Sequence, residues 1–301
     1  MVETIIAPVD RRVLLDELKE ATFVRGTRHA SNEIYTFEAA RCPNLMREVG
    51  RLREESFRAA GGGTGDEVDI DSLDMREGGY SQLIVWDPEA LAVVGGYRYI
   101  VCARSDMDAL STWHYFHFSA RFRRRYLPYT IELGRSFVQP LYQQRRNPKS
   151  IFALDNLWDG MGAIVMLHPE VKYLFGKVTM YPSIGPLARN TLIYFMHKFF
   201  PDNERLVRAR RPVDHDIDSR LYDNLFVGRT YGENYRILIR RMRDLRQTVP
   251  PMINSYMRLS TTMRVFDTCS NPDFGDVEET GILLTIGDFH QDVRDRWLEQ
   301  G

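Results

Sequence analysis

The chain has 301 residues, 44% apolar and 27% charged, which places it among ordinary globular proteins with material for one large core. Its 40 basic and 41 acidic residues leave a net charge of −1, so no overall field holds a polyanion and any basic surface is local. Nucleic acid is a poor partner on that balance, and no recognisable DNA- or RNA-binding motif is present.

Cys42, Cys102 and Cys269 are far apart, odd in number and without metal-ligand spacing. They are expected to be reduced thiols of a cytoplasmic protein rather than a disulfide or zinc framework. Met1 to Arg12 carries acid and Pro8 where a signal peptide needs an unbroken apolar run. No later segment is expected to approach the roughly 18 apolar residues of a membrane span.

From the N-terminus, the alternation over Asn32 to Ala39 predicts a first strand. Pro43 to Ala60 then takes helical spacing, with Leu45, Val49 and Leu52 on one stripe. The glycine-rich run Gly61 to Gly65 stops that helix, and Asp66 to Asp74 is expected to be a mobile acidic loop. Gln82 to Trp86 and Leu91 to Val101, joined by Asp87-Pro88-Glu89, predict a hairpin. After an aromatic and basic stretch, Ser111 to Pro128, come a strand over Tyr129 to Pro140 and a helix from about Pro148 to His168. The strand Tyr173 to Met180 and the helix Pro186 to Phe200 follow.

From about residue 202 to 230 periodicity gives way to charge, which reads as an excursion from the fold and not a linker. Tyr231 to Gln247 is a further helix, and Pro250-Pro251 opens a short one ending near Leu259. Met263 to Thr268 and Gly281 to Ile286 are the last strands. The elements make one domain over residues 1–301, with a core of about 32–286.

The order of elements is βα, hairpin, βαβα. On the fourth core strand, Glu132-Leu133-Gly134-Arg135-Ser136, followed by Val138 and Pro140, resembles the E-L-x-R-x-x-V-x-P signature of ornithine-lipid N-acyltransferases. Its first part is similar to acyl-homoserine-lactone synthases. Leu157-Trp158 with Gly160-Met161-Gly162-Ala163, the strand start Tyr173-Leu174-Phe175-Gly176, and Tyr256-Met257-Arg258-Leu259 leading to Phe274 are further matches in the same order. Phe57-Arg58-Ala59-Ala60 with the glycine run resembles the branch named putative hemolysins, some of whose members are glycine N-acyltransferases. The resemblance implies the GNAT fold, an α/β (α+β) class with a mixed, mostly antiparallel central sheet whose fourth and fifth strands splay apart. It also implies an acyl thioester donor in that wedge, carried on the phosphopantetheine of acyl carrier protein and less readily as acyl-CoA, and no permanently bound cofactor. The implied reaction is transfer of a 3-hydroxy fatty acyl group to a small amino acid, glycine above all.

Aminolysis of a thioester needs a neutral amine, an acceptor for its proton and donors for the developing oxyanion. Glu132 is the candidate base, as the resemblance implies; its plain alternative is a structural pair with Arg135. The two are three residues apart, so a regular strand would turn them to opposite faces, and a bulge with Gly134 as the permissive residue would bring both to the donor. Arg135 is then read as a fork for the acceptor carboxylate or a donor phosphate, or as a neutraliser of Glu132. Backbone N–H groups of Ser136, Phe137 and Val138 are the candidate oxyanion donors.

Gln143, Gln144, Arg145 and Arg146 follow the strand without a glycine, so the pyrophosphate loop of acetyl-CoA enzymes is missing from its place. Gly160 and Gly162 are read as packing glycines before phosphate binders. Arg145, Arg146 and Lys149 form one basic cluster beside the donor, and Arg121, Arg123, Arg124 and Arg125 a denser one. Either could steer an acidic carrier protein, or be solvated surface. Asp214-His215-Asp216-x-Asp218 fits no metal spacing, and no metal is expected. Tyr181 and Tyr194 are equal candidates for a general acid, each with a bland reading as a core aromatic. Two rivals remain: an acetyl-CoA-dependent small-molecule N-acetyltransferase, and a non-enzymatic membrane-active, hemolysin-like protein. Peripheral association with the inner membrane face is expected only through the lipid product.

Overall fold

The computed structural model describes residues 2–144 and 146–298. Its strands are β1 Thr22–Gly26, β2 Glu33–Glu38, β3 Ser81–Asp87, β4 Ala92–Val101, β5 Phe116–Phe118, β6 Thr130–Val138, β7 Tyr173–Met180, β8 Val207–Ala209, β9 Arg264–Asn271 and β10 Val277–Thr285. The helices are α1 Arg11–Glu17, α2 Pro43–Ala60, α3 Ser72–Met75, α4 Ala120–Arg125, α5 Ser150–Leu167, α6 Pro186–Phe199, α7 Ser219–Leu225, α8 Tyr231–Asp244, α9 Pro251–Leu259 and α10 Gln291–Leu298.

Eight strands form one sheet in the order β1-β2-β3-β4-β6-β7-β10-β9, and β5 pairs with β8 in a small second sheet. All neighbours in the large sheet are antiparallel except β6 and β7, which run parallel. This is the mixed, mostly antiparallel sheet expected, with helices on both faces. One core cluster lies between the sheet and the helices α5 to α9. A second lies under α2, and a third under the β5–β8 pair.

Local chemistry explains the best-read elements. Pro43 fills the first turn of α2, Leu45, Val49 and Leu52 are buried, and Gly61 closes the helix at φ 95°. The Gly61 and Gly62 amides bond back to Arg58 and Phe57, the hydrogen-bond pattern of a glycine-capped helix end.

Two expectations are corrected, and the charged excursion is given its place. The acidic stretch 66–74 is no mobile loop: Asp69 and Asp74 are buried, and α3 is fixed by reciprocal capping between Asp71 and Asp74. Its charges looked solvated because their arginine partners are distant in sequence. The charged excursion is built into the fold, since β8 pairs with β5 and Pro212 bridges Cys269. Finally, Ser150–Leu167 is long and apolar enough to cross a membrane, with a mean hydropathy of 1.2, although no such segment was expected. In the fold it is a core helix, burying Leu157, Trp158, Met161 and Ile164 against the sheet.

Candidate active site

The site begins where β6 and β7 part. They pair only over Thr130–Leu133 and Tyr173–Gly176, while β4 stays paired with β6 as far as Val138. At the last paired step, a Cβ on Gly176 would stand 2.7 Å from the Leu133 carbonyl oxygen, so only glycine allows that approach. Beyond it β6 bulges: Gly134 faces Arg98 and Phe137 faces Gly96, three steps against two. The left-handed residue of the bulge is Arg135, at φ 53°, and not Gly134 as expected. A non-glycine residue there costs roughly 1–2 kcal/mol, which the surrounding contacts must offset. The Arg135 guanidinium is held 3.1 Å from Asp69 and 3.7 Å from Asp71, and lies on the Phe274 ring.

A cavity of about 230 Å³ occupies the gap and reaches both faces of the sheet. Strand alternation divides its lining. Glu132, Phe175, Lys177, Thr179 and Glu279 share one face by register and pack with the third core cluster. Leu133, Leu174, Val178, Ile282 and Leu284 share the other face, where Trp158 and Met161 of α5 and Ile253 of α9 close an apolar chamber.

Glu132 is buried at the polar side. Tyr80 Oη donates to its Oε1 at 2.5 Å, the Thr112 amide to Oε1 at 3.0 Å, and Thr112 Oγ1 to Oε2 at 2.5 Å. Burial pushes its carboxyl pKa up, although the bonds from Thr112 and Tyr80 pull the other way. Glu132 does not pair with Arg135. The nearby guanidinium of Arg98 is engaged instead by Asp71 and Asp74, at 2.8 and 3.0 Å, and lies over the Tyr80 ring. Glu279, the second buried acid of the cavity, behaves oppositely. Burial alone would raise it, but Lys177 at 2.7 Å, with Thr179 and Asn271, holds it below the usual range.

Residues 52–153 match the acetyltransferase (GNAT) domain family. A glycine N(alpha)-acyltransferase of Phocaeicola vulgatus is 47% identical over 99% of this chain and 93% of its own length. One of Bacteroides thetaiotaomicron is 48% identical over 99% of this chain and 90% of its own. No solved structure matches. The chain belongs to the GNAT-fold N-acyltransferases. As such an acyltransferase it takes its acyl group from a thioester.

The acyltransferase fold places its sequence candidates unevenly. Glu132, Arg135 and Ser136 line the cavity. Phe137 buries its side chain in the second cluster, and Val138 packs on the first. The Gln139 amide donates to the Val94 carbonyl of β4, so ladder alternation turns the Val138 amide to the edge that β7 has left. Lys149 is tied down at the hairpin turn by Asp87 at 2.8 Å and Glu89 at 2.9 Å. Its charge is spent closing β3 onto β4, so it stands as a hairpin clamp and not as a donor contact. Arg146 is exposed before α5, and Arg145 lies outside the described residues.

Arg121 to Arg125 sit at the closed end of the wedge, where Tyr126 packs 5.0 Å from Tyr173. Gly160 and Gly162 are packing glycines: a Cβ on the first would meet Leu83 at 2.7 Å, and on the second the Trp297 ring at 2.5 Å. Tyr194 donates to Asp223 at the surface, whereas Tyr181 lines the cavity with its phenol pushed up to about 12 by burial and by Glu279. His215 bonds Glu278 at 2.7 Å.

Sequence reasoning missed Tyr80, Thr112, Lys177 and Glu279. Beginning the closing strand at Gly281 instead of Val277 cut Glu279 off, although a glutamate on that strand in phase with Leu283 marks an inward position.

Proposed function

We propose that this acyltransferase moves a long-chain 3-hydroxyacyl group from acyl carrier protein to the amine of glycine, releasing a monoacyl amino-acid lipid. The observation that carries the reading is the two-sided cavity: a buried carboxylate, Glu132, on one face of the sheet, and an apolar chamber on the other that suits an alkyl chain. The names of the two relatives support glycine as acceptor.

In this reading the pantetheine arm lies along the edge that β7 vacates, with the thioester carbonyl oxygen toward the Val138 amide. The acceptor nitrogen attacks the carbonyl carbon and gives a proton to Glu132; the C–S bond breaks and the thiolate leaves. Tyr181, at about 12, surrenders a proton less readily than a thiol at roughly 8.5, so it hydrogen-bonds the departing sulfur and does not protonate it. Charge supports the carrier protein as donor. Arg236, Arg240 and Arg243 form one exposed face of α8, and Gln247, just past that helix, bonds Ser183 beyond the open end of β7. The reaction belongs in the cytoplasm, with membrane association only through the lipid product.

The test offers purified enzyme glycine together with a long-chain 3-hydroxyacyl carrier protein, the matching acyl-CoA or acetyl-CoA, and follows N-acylglycine by mass spectrometry. Turnover should be fastest with the carrier protein. Efficient acetyl transfer with no product from the carrier protein would overturn the reading.

A further inference from the structure

The cavity holds a charge pair that the reaction described above leaves unused. Lys177 and Glu279 face it on the same side as Glu132, with Nζ 2.7 Å from Oε1. Glu279 is 1% exposed and also accepts from Thr179 at 2.8 Å and Asn271 at 3.1 Å, so it is fixed from three sides. The Lys177 ammonium rests 4.8 Å from the Tyr115 ring centroid, and its side chain keeps 14% exposure. An ammonium has three N–H donors, and Glu279 occupies one. The Tyr115 ring faces the ammonium on a second side, which leaves a donor for an anion in the cavity.

We infer that Lys177 is the anchor for the acceptor's carboxylate and that Glu279 is its positioning residue. The inference deepens the proposed amino-acid acceptor and rests on it. Register supplies the geometry. Phe175 pairs with Glu132, and Lys177 stands two residues further on the same face, about 7 Å along β7. An α-amino acid carries amine and carboxylate on one carbon, so it can offer the first to Glu132 and the second to Lys177. Arg135 is the rival anchor, but Asp69 and Asp71 already engage its guanidinium, and its strained backbone fixes that arrangement. Lys177 serves a carboxylate as a point charge, with Glu279 holding a flexible stem in place. The subsite therefore takes a small α-amino acid and disfavours amines that lack the carboxylate.

The experiment compares kcat/KM for glycine and glycinamide with one saturating long-chain acyl donor. Lys177→Met alone strands Glu279, so the variant is K177M/E279Q, with K177R as the charge-retaining control and a thermal melt to verify folding. Wild type should prefer glycine. In K177M/E279Q that preference should fall about 10- to 100-fold, chiefly through KM, as expected for one charge-assisted hydrogen bond. K177R should recover most of it; should that double variant not fold, K177Q/E279Q, whose side-chain amides can hydrogen-bond each other, takes its place against K177R. A folded variant that keeps the preference, with R135Q losing it, overturns the inference and moves the anchor to Arg135. Should wild type fail to acylate glycine, the acceptor reading itself falls, and this inference with it.

Discussion

Asp74 shows how much of the site is held by buried charge. It lies 3.2 Å from Arg53 and 3.0 Å from Arg98, and neither guanidinium reaches solvent to any extent. Burial would raise the Asp74 carboxyl, but Arg53 and Arg98 hold it well below the usual carboxylate range. Its folded pKa is depressed, so the stability it contributes is present above the unfolded-state value and is lost as pH falls toward the folded one. Asp74→Asn should destabilise the protein by roughly 3–5 kcal/mol near neutral pH, because two buried cations lose a partner. Chemical denaturation at several pH values measures this, and the penalty should shrink on acidification. None of it was legible in the sequence. A run of aspartates whose arginine partners stand 21 and 24 residues from Asp74 looks like solvated loop until the fold brings them together. The signature singled out Arg135, which lines the cavity, but its left-handed backbone was not legible, because Gly134 beside it carried the obvious signal for a bulge.

At the scale of elements, helical periodicity located α2 and α5 almost to the residue, and β7 was read with its observed limits. Short edge pieces such as β1 and the β5–β8 pair carry too few residues for alternation to show, and their existence depends on partners across the fold. α5 illustrates a motif whose meaning lies in contacts. In an exposed helix, Gly→Ala is favourable by up to about 1 kcal/mol. At Gly160 the added methyl would enter the space of Leu83 and Tyr97, so G160A should instead cost about 1–3 kcal/mol, read from its denaturation midpoint. An unchanged or raised midpoint would show that the α5 contact on β3 and β4 has room to relax.

Over the whole molecule, the wedge follows from a contest between neighbours. β4 keeps its ladder to β6 through the bulge, and β10 keeps β7 fully paired from Tyr173 to Met180, so the strain is released between β6 and β7. The resulting hole joins a polar face to an apolar one. The fold class and the acid on the fourth core strand were legible from the signature around Glu132. The second half of the polar face, Lys177 with Glu279, was not, because pairing across β7 and β10 is a long-range fact.

The most direct measurement is the pH dependence of kcat/KM for N-acylglycine formation by wild type and E132Q. Burial raises the Glu132 carboxyl, so the acid limb of the wild-type profile should lie above the ordinary glutamate range, with activity rising as that group ionises. E132Q should lose that limb and about 100- to 10,000-fold in rate. It should melt no lower than wild type at neutral pH and above, where the buried carboxylate is a cost and the neutral amide is not. A folded E132Q that retains both the rate and the limb would contradict the account.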